Sequence, residues 1–315
     1  IFQIAKPFNR IYDWSSQKRF SFTPKTQSLL KQFQKDRIQM VGFFKSEDVL
    51  LKEVDSLLPS LKFLIPGLSF INYDLEKNPD QAKEFGVHVD QTLLIEKEGR
   101  RAGVSHLSEA GIRTAFEKLA VKKRPLILFI QGHGEVRLTD SSPLGYSFLR
   151  DYLLNEAYQV KEDFIESSYF SQANLIILSY PKRDLSPSEL TQMEDYLKKN
   201  NAIFMIDPEE ARTYPNLRSL LAAQGAGLGD DVILDRTSRT FGADDLIPVV
   251  TDLSQHEIVR GLGAPLFFPL ARSVRMLGGA EKHQWESDYL LFSGKESWGE
   301  TDYVSLEKGN YSFEE

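Results

Sequence analysis

The side chains best suited to chemistry stand in one short run, Gln131-Gly132-His133-Gly134-Glu135, directly after an apolar segment at 126–130. Gly132 and Gly134 permit positive φ and a close backbone approach to a ligand. His133 and Glu135 are the residue types of a general acid–base pair or a polar ligand contact. The run lacks the spacing of a phosphate-cradling loop, and no Lys-Ser or Lys-Thr follows it. The same residues suit a tight loop whose imidazole satisfies backbone carbonyls. Asp207-Pro208-Glu209-Glu210 ends a predicted strand at 202–206 and brings carboxylates to the same rim, where with His133 and Glu135 they would serve metal or sugar binding. An Asp-Pro after a strand serves equally as a cap for the next turn or helix. Tyr180, ending a predicted strand at 174–179, is an aromatic for stacking on a sugar face. Glu135 and Asp207 would cleave a glycoside only if about 5 to 10 Å apart.

Other chemistries are excluded by residue type. The chain has no Cys, which removes disulfides, thiol nucleophiles, Cys-ligated zinc and iron–sulfur clusters. His88, His106, His256 and His283 form no His-x-x-x-His or Glu-paired helical arrangement, so no metal is expected. Ser179 lacks the Gly-x-Ser-x-Gly flanks of a nucleophile elbow, and Pro181 keeps it from a sharp strand-to-helix turn. Walker motifs are absent, so any ATP hydrolysis belongs to a partner chain.

The elements that position these residues follow from length and pattern. At 315 residues the chain is long enough for two domains. With 41% apolar and 26% charged residues it has a globular composition. Its net charge of −7 is the wrong sign for a broad phosphate-binding surface, so no nucleic acid is expected. Charge is uneven: 1–45 holds nine bases and two acids, 281–315 three bases and nine acids. No run of 18 apolar residues occurs to span a bilayer. The first residue is Ile1 rather than Met, from which an upstream signal peptide or anchor helix is expected.

A lead-in at 1–26 precedes a short helix at 25–34, with Thr23 as N-cap and Pro24 at its first position. Strand 38–44, helix 46–61, strand 68–74 and helix 79–85 follow, the last ended by Gly86. Strands at 91–96 and 101–104 meet at a turn, and Ser108 caps a helix to about Leu119. Lys122-Lys123-Arg124-Pro125 marks the domain boundary. Beyond it come strand 126–130, helix 146–156, strands 159–164 and 174–179, helix 188–198, strand 202–206 and helix 216–224, then weaker strands at 232–234 and 247–250. The apolar run 126–130 is what a strand buried on both faces requires. The predicted organisation is a lead-in at 1–36, domains at 37–121 and 122–290, and a C-terminal segment at 291–315 leading toward an anchor.

The first domain resembles thioredoxins in its βαβα then ββα order and in the step Gly86-Val87 before Gln91-Thr92 and a strand. It departs from them where Phe43-Phe44-Lys45-Ser46 stands without Cys-x-x-Cys, and where Gln91 occupies the cis-Pro position. No thiol exchange is then possible, and the domain is a thioredoxin-shaped scaffold. The second domain reads as a doubly wound, flavodoxin-like α/β sheet similar to class I glutamine amidotransferases, with its crevice beyond the strands' carboxyl ends.

Ordered segments along the chain resemble the ABC-transporter auxiliary family that includes the gliding-motility auxiliary protein. They are Arg19-Phe20-Ser21-Phe22-Thr23-Pro24, the Lys/Arg-Pro, apolar strand and Gly132-His133-Gly134-Glu135, and Leu185-Ser186-Pro187-Ser188-Glu189-Leu190. Tyr196-Leu197, Asp207-Pro208, His256-Glu257-Ile258 through Gly261-Leu262, Phe268-Pro269-Leu270-Ala271-Arg272 and Ser297-Trp298-Gly299-Glu300-Thr301 complete the set; Glu257 replaces the usual Pro. The resemblance implies a non-catalytic, cofactor-free extracytoplasmic (periplasmic) module. It would be held to the inner membrane by flanking helices and work with an ABC permease and ATPase. Its second domain would be similar to the amidotransferase-like domain of intraflagellar-transport proteins, for which glycan binding is suggested. Lys6, Arg10, Lys18 and Arg19 would contact anionic headgroups or the permease. Candidate ligand or partner contacts are Gly132, His133, Gly134, Glu135, Tyr180 and Asp207. The alternative reading is a receptor for a saccharide or envelope polymer at the rim near His133, Glu135 and Asp207.

Overall fold

A computed structural model describes residues 22–208, 213–277, 287–309 and 311. The lead-in through Ser21, with Lys6, Arg10, Lys18 and Arg19, and the acids Glu209 and Glu210 lie outside the described residues. The chain is a mixed α/β protein that divides into two compact units. The first runs to Ile127 and takes in Arg137–Lys161; the second is Leu128–Val136 and the residues from Glu162 onward.

The first unit contains α1 (Pro24–Lys31), β1 (Ile38–Phe43), α2 (Val49–Leu64), β2 (Leu68–Tyr73), α3 (Pro79–Phe85), β3 (Thr92–Lys97), β4 (Arg100–Gly103) and α4 (Glu109–Ala120). Its sheet has the order β2-β1-β3-β4. β1 is parallel to β2 and antiparallel to β3, so Met40 faces Phe70 on one side and Ile95 on the other. Alternation along β1 sends Ile38, Met40 and Phe44 to one apolar cluster with Leu30, Phe33, Ile112 and Phe116, and sends Val41 and Phe43 to another with Phe85 and Leu94. Phe33 meets Phe116 edge to face at 5.0 Å. Helix ends follow the capping residues: Thr23 accepts from Thr26 N, and Ser108 from Gly111 N. Gly86 closes α3 at φ 62°, where a Cβ would stand 2.8 Å from that of Asp151. Glu98 and Gly99, both at positive φ, turn β3 into β4.

Two readings shift. The helix predicted at 46–61 is Val49–Leu64, because Asp48 rather than an earlier Ser supplies the cap and accepts from Leu50 N at 2.9 Å. Pro59 lies inside it without ending it, and the apolar stripe continues through the buried Leu61 and Leu64. The helix after the Lys-Lys-Arg-Pro junction, α5 (Ser147–Asn155), falls in the first unit rather than in a continuous 122–290 domain. Its Asn155 Nδ2 donates to the carbonyls of Phe85 and Gly86 at 3.0 and 3.2 Å, satisfying the end of α3. His88 stacks on Phe148 at 3.6 Å and bonds Asp151 through Nε2 at 3.0 Å.

A second four-stranded sheet has the order β6-β5-β7-β8, from β5 (Leu126–Ile130), β6 (Gln159–Asp163), β7 (Leu175–Ser179) and β8 (Asn201–Met205). Every residue of β5 is buried. β7 and β8 are parallel, with Ile177 opposite Ile203. In the second unit α6 (Pro187–Leu197) packs the buried Met193 and Tyr196, and α7 (Pro215–Ala223) buries Leu217, Leu220 and Leu221. The start of α7 is capped from a distance, Asn216 N and Leu217 N donating to the carboxylate of Asp184 at 2.8 and 3.0 Å.

After Gly225 come short ladders. β9 (Ala226–Leu228) pairs with β14 (Val274–Met276), β10 (Val232–Asp235) with β16 (Ser297–Glu300), β11 (Val249–Val250) with β13 (Leu266–Phe267), and β12 (Asp252–Leu253) with β15 (Leu291–Phe292), before a final α8 (Tyr303–Glu307). Among the described residues no helix is long and apolar enough to cross a membrane.

Candidate functional site

The loop after β5 takes its shape from its two glycines. Gly132 has φ 121°, and a Cβ there would lie 3.1 Å from the Phe164 ring; Gly134 has φ 88°, and a Cβ there would lie 3.1 Å from that of Lys182. The backbone is pinned on three sides. Gln131 N donates to Asp163 O at 3.0 Å, Lys182 N to His133 O at 2.7 Å, and Arg183 Nη2 to Gly132 O at 2.5 Å.

This shape turns His133 inward, where it is only 4% exposed. Its Nδ1 pairs with Glu135 Oε1 at 2.9 Å, and its Nε2 with Glu189 Oε1 at 3.1 Å. Its backbone N–H donates to Glu135 Oε2 at 2.7 Å. Glu189 is the third residue of α6, and its other oxygen accepts from Ser186 N at 2.7 Å, completing a capping box with the Ser186 hydroxyl. Burial by itself disfavours the imidazolium, but the hydrogen bonds and charges of Glu135 and Glu189 outweigh it and raise the His133 pKa above the ordinary value. Burial likewise pulls Glu189 upward; the Ser186 N–H, the Ser186 hydroxyl and His133 overcome it and hold the carboxyl below the usual range.

With a carboxylate oxygen at each ring nitrogen, both nitrogens are engaged within the protein. The arrangement is a buried Glu–His–Glu triad fastening the β5 loop to the start of α6. His133 is satisfied, as a tight-loop histidine should be, but by carboxylates rather than backbone carbonyls. The structure brings Glu135 to His133 and places Glu189, rather than Asp207, at the remaining ring nitrogen. Glu189 was missed as a site residue, although Ser186-x-x-Glu189 carries the capping-box signal in sequence.

The other candidates lie at the strand ends. Tyr180, half-buried at φ 51°, donates from its N–H to Met205 O at 2.8 Å, and Pro181 O accepts from the Tyr214 hydroxyl at 2.8 Å. Asp207 is half-buried just after β8. Gly134, Lys182 and Arg183 are exposed beside the triad; sequence reading did not single out the two cations, which no motif marks. Among the described residues no group of three or more His, Cys, Asp or Glu side chains is arranged to hold a metal ion.

No family model matches the chain, and no curated protein matches it in sequence. Among solved structures it is similar to the mmIFT52 N-terminal domain, at 15% identity and a TM-score of 0.45, over 55% of this chain and 75% of that one. It is also similar to the NTD_N/C domain of alkylhydroperoxide reductase AhpF from Enterococcus faecalis, at 13% identity and a TM-score of 0.28, over 48% and 83%. Human ERp44 form I follows at 11% identity and a TM-score of 0.25, over 59% and 71%.

Proposed function

We propose that the chain is a non-catalytic, extracytoplasmic accessory module of an ABC transport system of the export or gliding-motility type. In this reading a thiol-free, thioredoxin-like scaffold and a doubly wound, amidotransferase-like domain act as docking surfaces for a membrane permease and its ATPase. Helices flanking the present chain anchor it on the periplasmic face of the inner membrane.

The observation that carries the reading is that two segments of the family resemblance meet in space. Gly132-His133-Gly134-Glu135 and Ser186-Pro187-Ser188-Glu189 are joined through the His133–Glu189 contact, which gives both motifs one structural purpose. A histidine committed to two carboxylates supports a scaffold better than a reaction centre. The test is affinity purification of the full-length protein from native membranes in mild detergent, followed by mass spectrometry. An ABC permease and ATPase should accompany it; recovery alone, in a soluble fraction, overturns the proposal.

A second reading, a receptor for an anionic saccharide or envelope polymer, draws support from the exposed Lys182 and Arg183 beside Gly134 and Tyr180. Binding on a glycan array that is weakened by Lys182→Glu together with Arg183→Glu would favour it. Binding unaffected by that pair would remove this rim.

A further inference from the structure

The region of the second unit beyond Gly225 holds a cavity of about 390 Å³, within the size range of small-molecule sites. Its wall is apolar and aromatic, including Ile233, Val250, Phe268, Leu291 and Phe292. Phe268 and Phe292 are 36% and 41% exposed, so the cavity has an open apolar side. Arg272 lines the same cavity and is only 7% exposed. Its Nε and Nη1 are buried and have no hydrogen-bond partner among the described residues. The Tyr303 hydroxyl lies within interaction range of the guanidinium and offers it a neutral acceptor rather than a counter-charge. The neighbouring carboxylate, Asp231, is engaged with Ser273, accepting from its N at 2.9 Å and its Oγ at 2.7 Å.

A buried guanidinium with unused donors is costly unless an anion accepts from it. One arginine in a largely apolar wall, with the neutral hydroxyls of Ser273, Tyr289 and Ser293 beside it, matches a single negative charge on an apolar body, whereas a phosphate dianion calls for more charged donors. We propose that this cavity binds an amphipathic monocarboxylate, with the carboxylate on Arg272 and the apolar body against Phe268 and Phe292. The carboxylate belongs either to a free acid or to the C-terminus of an apolar peptide.

The experiment is titration calorimetry on the whole chain with 4-phenylbutyrate and with its uncharged amide. Beside them run an acetylated apolar tripeptide ending in Phe, with free and with amidated C-terminus. Saturable binding of a carboxylate form, at least about tenfold tighter than its amide, is expected from the loss of one charge-assisted contact. The tighter of the two acids identifies the source. Equal affinity of acid and amide, or no saturable binding by either acid, overturns the proposal on the unmodified protein. Phe268→Ala, at a partly exposed position, should weaken the acid several-fold without loss of fold, and Arg272→Gln should erase the preference for acid over amide.

Discussion

The two units are specified by different kinds of interior. In the first, the buried side chains around Phe33, Met40, Ile95 and Phe116 are apolar, and the described polar residues buried there are the uncharged Thr26, Ser147 and Asn155. In the second, His133, Glu135, Asp231, Asp235, Asp245 and Arg272 are buried alongside the aliphatic residues of the sheet. Apolar burial is non-directional and tolerates repacking. A buried charge requires a partner at one position and is strongly destabilising when that partner is removed. The first unit should therefore respond to volume, and the second to proton concentration and partner identity.

The largest expected effect tests the apolar side. Phe116→Ala removes a fully buried ring and should cost about 4 kcal/mol in denaturant unfolding, by the same amount at every pH. A pH-dependent cost would break the contrast. Next comes Glu135→Ala, which strips His133 of two contacts and should cost about 3 kcal/mol near neutrality.

The pH profile itself sharpens the comparison. His133 has a folded pKa raised above its unfolded value of 6.5, so its contribution is complete below that value and disappears as the pH climbs through the raised folded pKa. Glu189 has a folded pKa held below its unfolded value of 4.5, so its contribution is complete above that value and disappears as the pH falls through the depressed one. Stability of the wild type should peak between these limits, and His133→Gln should flatten the alkaline limb in melts across the range. The smallest effect is that of Ser186→Ala, which deletes half of the capping box and should cost about 1 kcal/mol; a far larger loss would make the cap itself, rather than the triad, the fastening of the β5 loop.

What sequence could disclose depended on how local the cause was. The bounds of β5 and α3 were legible because a five-residue apolar run and a Pro-to-Gly bracket act on their own neighbourhoods. The start of α2 differs from the sequence reading because Ser46 and Asp48 are both competent caps, and in the fold it is Asp48 that accepts from Leu50 N. The ladders beyond Gly225 were mostly missed because strands of two to four residues carry no period, and their partners lie far along the chain. Within the candidate site, His133 and Glu135 stood out by type, whereas Glu189 becomes relevant only when the start of α6 lies against the loop. Arg272 ends the Phe268–Arg272 segment of the family resemblance, but nothing in that segment says that the side chain is buried.

The pairing of β10 with β16 sets a schedule for synthesis. Val232–Asp235 leaves the ribosome well before Ser297–Glu300, and at about 5–20 residues per second the interval lasts seconds. Throughout it the hydrogen-bonding edge that β16 will cover is open to any other extended segment. A nascent chain stalled in that window would present a sticky strand to its neighbours on the same messenger, which makes the closing strand a guard against aggregation as well as part of the finished fold.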